Sequence, residues 1–190
     1  LKLSDEKTVI TNINDGFDFL GWNFRKFKGK LLIQPSRKSK QKVTKSLSRT
    51  IKYYHEANQE LLIIKLNQIT RGWAEYHHCA CAKKTYALID HRLWEMLWKW
   101  AKRRHPRKGK KWIKNRYWHP KGNREWSFRT DKAILYQMMD MPIVRIRSLD
   151  LKKNPFLDGE YFEHRRKQHK KDKETAYLSS TAALSGYYAL

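Results

Sequence analysis

Acidic residues are scarce in this chain: 18 Asp+Glu stand against 42 Lys+Arg in 190 residues, a formal net charge of +24. A domain with this much charge of one sign repels itself unless a polyanion neutralises it. Nucleic acid is the first partner class this suggests, and an anionic membrane surface the second. Long apolar runs are missing too. No stretch approaches the roughly 18–20 uninterrupted apolar residues of a membrane span; of the two partner classes, nucleic acid is the one expected and no membrane is. The opening LKLSDEKTVI has no apolar core of a secretion signal and no initiator Met, which suggests a fragment or a gene that has lost its front half. Cysteine is nearly absent. Cys79 and Cys81 lie too close in sequence for a framework disulfide, which fits a reducing intracellular setting. What is plentiful is apolar mass: 40% of residues are hydrophobic, enough to bury the core of one domain or two small ones. Those residues recur with regular periods, which argues against disorder.

Residues 7–33 read as β structure. Lys7–Ile13 alternates, Phe17–Phe24 alternates again, and Lys28-Gly29-Lys30 turns the chain back into Leu31-Leu32-Ile33. Residues 39–55 read as a helix with two distinct faces. Val43, Leu47, Ile51 and Tyr54 share one side; Lys38, Lys42, Lys45, Arg49 and Lys52 descend the other, with no acid between Ser36 and His55. Solvated helix faces usually mix signs, because like charges three or four residues apart repel. Cations near the helix start also oppose the macrodipole. A plain exposed face is the bland alternative; a phosphate-facing stripe is favoured.

A second helix is expected over 58–78, with Leu62, Leu66, Ile69, Trp73 and Tyr76 inward, Leu61–Ile64 buried all round, and Gly72 as a close-packing point. A third is expected over 84–104 on Tyr86, Ile89, Leu93, Met96, Leu97 and Trp100, with Trp94 and Trp98 beside the stripe and Pro106 as its stop. Three such helices with short connections imply a small bundle. Residues 102–124 then carry eleven Lys/Arg interleaved with Trp112, Tyr117 and Trp118. Basic surfaces with aromatic platforms hold single-stranded RNA in many proteins. Residues 125–129 and 143–151 alternate as short strands, and 168–190 looks frayed.

Candidate chemistry is thin. His77-His78-Cys79-Ala80-Cys81 offers metal-ligating types, but two cysteines one residue apart do not easily share a tetrahedral ion, and no second pair exists. They read as ordinary helix-end residues, and no metal site is expected. The aspartates form no paired-carboxylate motif, and there is no phosphate loop, GxSxG or HExxH. Asp90-His91 reads as a helix-surface pair. No catalytic residue is assigned.

Several segments in order nevertheless carry a specific resemblance. They are Leu3–Thr8, Gly16-Phe17-Asp18-Phe19-Leu20-Gly21-Trp22, Arg71–His77, Ile89–Trp94, Trp98–Pro106, Lys111–Tyr117 and Asn154–Asp158. Over about residues 1–166 the chain resembles group II intron-encoded reverse transcriptases, from the last palm strands through the thumb, or maturase domain X. The resemblance implies an α+β, mainly α fold. It divides the chain into a palm-end hairpin (1–35), a three-helix thumb-like bundle (36–106), a basic DNA-binding-like region with short strands (107–166) and a disordered or degenerate tail (167–190). Intact members copy RNA into DNA and help their intron RNA fold and splice, the RNA performing the splicing chemistry itself. Their YxDD carboxylates are not in this sequence, so no cofactor is expected here; Mg2+ belongs to the intact polymerase. Their C-terminal endonuclease signature is also not found here.

The resemblance therefore implies an RNA-binding maturase-type domain, with group II intron RNA as partner and DNA or an RNA–DNA duplex as further candidates. The competing expectation is one part of a split reverse transcriptase that acts only with an N-terminal half; a third is a degenerate product that folds poorly. The bacterial cytoplasm is the expected location, an organelle the other option. Expected RNA-binding residues are Lys38, Lys42, Lys45, Arg49, Lys52, Arg71, Arg103, Arg104, Lys110, Lys111 and Arg116. Trp73 and Trp100 read as core, whereas Trp112 and Trp118 fit either core packing or base stacking.

Overall fold

The computed structural model describes residues 9–122 and 124–185. The expected motif Leu3–Thr8 lies outside them. A three-stranded antiparallel sheet comes first: β1 (Phe17–Phe19), β2 (Trp22–Phe27) and β3 (Lys30–Pro35), in the order β1-β2-β3. Both connections are two-residue turns with positive φ at each position: Leu20 (47°) with Gly21 (83°), and Lys28 (46°) with Gly29 (79°). That geometry matches the right-handed twist of paired strands, which is why it joins hairpins so often. The Lys28-Gly29 turn was legible in sequence. The break at Leu20-Gly21 was not, because a leucine at positive φ is uncommon. Residues 9–13, expected as a strand, form none.

Three helices follow: α1 (Arg37–Tyr53), α2 (Gln59–His77) and α3 (Lys83–Arg104). Ser36 caps α1 by accepting the Ser39 N–H (3.1 Å), and Asn58 caps α2 by accepting the Leu61 N–H (2.8 Å). Their apolar stripes meet in one core. Val43, Leu47 and Ile51 of α1, Leu62, Ile63 and Leu66 of α2, and Ile89, Leu93 and Leu97 of α3 are all buried. Each such side chain contributes about 1.5–3 kcal/mol by leaving water. The three helices therefore lie within two residues of the bounds that the periodicity indicated.

The second helix is rotated from its expected setting. Its buried positions are Leu62, Ile63, Leu66, Thr70, Ala74 and His77, while Tyr76 is half exposed and Leu61 and Ile64 are exposed. Leu61–Ile64 is thus not buried all round. Gly72 is no packing point either, since a Cβ there would meet nothing within 4 Å.

Beyond the bundle, α4 (Lys110–Tyr117) leads into a two-stranded antiparallel sheet, β4 (Trp118–Lys121) and β5 (Arg124–Phe128). The strand expected at 125–129 is thus present within one residue. Two α2 amides pin the return segment. Gln59 Nε2 donates to the Tyr117 (2.8 Å) and Arg129 (3.1 Å) carbonyls, and Asn67 both donates to Ile134 O (2.8 Å) and accepts from Tyr136 N (2.7 Å). Asp90 is not a surface residue. Its carboxylate accepts the Met138 (3.0 Å) and Met139 (2.9 Å) N–H groups at the start of a 3-10 turn, Met138–Asp140. Burial raises its pKa, the two backbone donors pull it back, and the result is about 6. The folded protein therefore holds that proton at pH values where the unfolded chain has lost it. Stability carried by this group is present below the ordinary Asp range and is lost as pH rises through about 6. Chemical denaturation should show wild type losing stability relative to Asp90→Asn as pH rises from about 4 to about 6. A constant difference across that range would contradict the assignment.

Residues 143–151, expected as a strand, form no ladder. Val144 N donates to His78 O (3.0 Å), and no second strand lies alongside among the described residues. The tail also differs from expectation: α5 runs from Gly159 to Ser185, although residues 186–190 lie outside the described part. Its Glu, Lys, Arg and Gln content favours helix, and Tyr177 and Lys173 both donate to the Glu75 carboxylate on α2. Burial alone would raise the Glu75 pKa, but these two donors hold it below the usual range. Five α-helices and two small antiparallel sheets make a mixed, mainly helical fold among the described residues. None of these helices is long and apolar enough to cross a membrane.

Candidate nucleic-acid interface

The core fixes which way α1 faces. With Val43, Leu47 and Ile51 turned inward, the opposite side must present Lys38, Lys42, Lys45, Arg49 and Lys52, and all five are exposed. At about 100° per residue they fall within a sector of roughly 80°. Among the described residues none of the five is in an ion pair. The pairs that Lys and Arg do form lie elsewhere: Lys114–Glu125, Arg124–Asp140, Arg147–Asp172, Lys153–Asp158 and Lys173–Glu75. The acids paired with Lys or Arg thus sit on other elements, and Asp18 and Glu56, which line the grooves beside the stripe, are in no ion pair with it among the described residues.

Grooves flank the stripe at both ends. At its start lies a groove of about 700 Å3 between α1 and α2, closed at one end by the β1–β2 turn. Lys38 and Lys42 stand at its α1 side; Ile69, Gly72 and Trp73 come from α2. At its far end a second groove, about 690 Å3, brings Lys52 and His55 beside Met96, Trp100, Arg103 and Arg104 of α3. The structure therefore gathers Arg103 and Arg104 with the α1 stripe, which the sequence could not show. Arg104 also braces the fold. Its Nη1 donates to the His55 (3.2 Å) and Ala57 (2.5 Å) carbonyls, and its guanidinium lies over Trp100 at 4.8 Å.

Other expected contacts are dispersed. Arg71 lines neither groove; its guanidinium lies over the Tyr136 ring at 5.1 Å. Lys110, Lys111 and Arg116 are exposed on α4, where Ile113 and Tyr117 face inward. Trp112 keeps 40% of its surface, next to His105 (4.8 Å) and under Lys108 (5.4 Å). Trp118 is 2% exposed and packs on Trp98 (5.2 Å) and Phe128 (5.2 Å), so it belongs to the core and is no stacking platform. Trp100 is core as expected; Trp73 is only partly buried.

One linkage was invisible in sequence. Trp73 Nε1 donates to Ser39 Oγ (3.1 Å), and Ser39 Oγ lies 3.1 Å from His77 Nε2. Burial lowers the His77 pKa to about 4, so the ring is neutral and Nε2 can accept the Ser39 hydroxyl proton. Trp22 meets the same imidazole edge-on at 4.4 Å, and its indole N–H donates to Tyr76 Oη (3.2 Å), which donates to Leu20 O (2.6 Å). The i, i+4 spacing of Trp73 and His77 was a possible signal; their partners Ser39 and Trp22, far back in the chain, carried none. No group of three or more His, Cys, Asp or Glu among the described residues is placed to hold a metal ion.

Residues 38–118 match the model of the group II intron, maturase-specific domain. The matched segment opens on Lys38, the first cation of the α1 stripe, and spans α1 to α4. The family resemblance read from the sequence is borne out over that segment, and the match supports a group II intron maturase-type role. No curated protein matches the chain.

Proposed function

We propose that this protein grips folded group II intron RNA and assists its folding and splicing by binding alone, the RNA supplying the reaction. One observation carries the reading. The exposed side of α1 holds five cations in one narrow sector, with no acid and no ion pair among the described residues. A stripe of like charges destabilises an isolated helix, so its presence is accounted for by phosphates that neutralise it. Lys38, Lys42, Lys45, Arg49 and Lys52 make the primary contacts. Arg103 extends the surface from α3, and Lys110, Lys111 and Arg116 form a second basic face on α4. Arg71 and Arg104 contribute charge but are held by Tyr136 and by backbone carbonyls.

Phosphate contacts release counterions, so affinity should fall steeply with salt. Five contacts to a duplex correspond to a slope of log affinity against log salt near −4 to −5, at about 0.9 per phosphate. Filter binding of a structured intron RNA between about 50 and 200 mM salt measures it. A flat response would overturn the electrostatic grip.

A further inference from the structure

We propose that the groove between α1 and α2 is a pocket for a single unpaired RNA nucleotide, turned out of a helix whose phosphates rest on Lys38 and Lys42. This rests on the RNA-binding reading above and adds a shape the protein selects. The groove's volume of about 700 Å3 lies within the roughly 300–1,000 Å3 typical of sites that enclose one small molecule. Its lining is divided as a nucleotide is divided. Cations stand on the α1 side, where the stripe would hold a backbone; Ile69 and Trp73 offer apolar and aromatic surface within, and Asp18 of β1, one oxygen of which accepts from Asn23 Nδ2 (2.8 Å), places a carboxylate on the far wall that can accept a base N–H. An acidic peptide side chain would use the cations and leave the aromatic surface without a purpose.

Gly72 is the second observation. It sits inside α2, where glycine is among the poorest residues for helix stability, yet nothing lies within 4 Å of where a Cβ would stand. No neighbour requires it to be small. It also lines the groove, so what its missing side chain provides is open space beside Trp73. That tryptophan is already fixed, by its N–H bond to Ser39 Oγ and by ring contacts to His77 (4.4 Å) and Tyr86 (5.9 Å). Ser39 and His77 act as positioning residues here. A ring held in place before binding loses little freedom when a base stacks on it.

The test compares an RNA hairpin carrying one unpaired 2-aminopurine with the same hairpin fully paired, at one salt concentration. Wild type should bind the bulged hairpin about tenfold tighter, the scale of one base stacked on an aromatic ring. The 2-aminopurine fluorescence should change on binding. Gly72→Leu, a better helix former at an exposed position, should bring the preference close to 1, and thermal unfolding verifies that it folds. Gly72→Ala should fall between the two and serves if leucine distorts the helix. Equal binding of both hairpins by wild type, or an undiminished preference in Gly72→Leu, overturns the pocket while leaving the RNA grip intact. Binding to neither hairpin overturns the RNA grip itself, and the pocket with it.

Discussion

Lys42→Glu combined with Arg49→Glu should lower affinity for structured RNA by about 10- to 100-fold at moderate salt, and flatten the salt slope by close to 2. Both residues lie on the outward sector of α1, and neither has an acidic partner to lose. Each reversal removes one cation–phosphate contact and sets a carboxylate against the same phosphate. Stability should move the other way, or hardly at all. Lys38, Lys42, Lys45, Arg49 and Lys52 are like charges three and four residues apart, so a Glu among them replaces repulsion by attraction, worth a few tenths of a kcal/mol per pair. Binding measured across salt, together with thermal unfolding, separates the two effects. Unchanged affinity with unchanged slope would remove α1 from the interface.

Trp118→Ala and Trp112→Ala should have opposite profiles, although the sequence presents the two as equivalent. Trp118 is enclosed by Trp94, Trp98, Trp126 and Phe128, and truncation there should cost about 3–5 kcal/mol. The buried Trp118 indole N–H has no hydrogen-bond partner, so truncation also removes an unsatisfied donor, which places the loss toward the lower end. For a chain of this size the melting temperature should drop by about 6–20 °C. Trp112 is 40% exposed on the outer side of α4. Its replacement should leave unfolding nearly unchanged and, if α4 contributes its second basic face, weaken RNA binding several-fold. Near-equal melting shifts for the two variants would contradict this division.

The helices were legible because their signals are local. Pro106 beyond α3 and the 3.6-residue period of Val43, Leu47 and Ile51 each act within one or two turns of the chain. The cationic stripe was legible for the same reason, since one helix places its own faces. What failed depended on distant partners. Asp90 reads as surface until the 3-10 turn 48 residues away donates two N–H groups to it. Tyr76 reads as core until the β1–β2 turn draws its hydroxyl to Leu20 O and leaves the ring half exposed. Arg71 and Arg104 read as free cations, although Tyr136 and the His55 and Ala57 carbonyls hold them. The groove beside Gly72 had no local signature, because its two walls come from different helices. α5 was missed for a different reason: its charged sequence lacks a clear apolar stripe, and its anchor is the Glu75 carboxylate of α2.

Lysine modification read by mass spectrometry, with and without intron RNA, tests residue by residue whether α1 is the surface that meets RNA. Lys38, Lys42, Lys45 and Lys52 should lose reactivity together when RNA is present, while Lys153 and Lys173, already paired with Asp158 and Glu75, should change little. Full reactivity of the four α1 lysines in the presence of saturating RNA would contradict it.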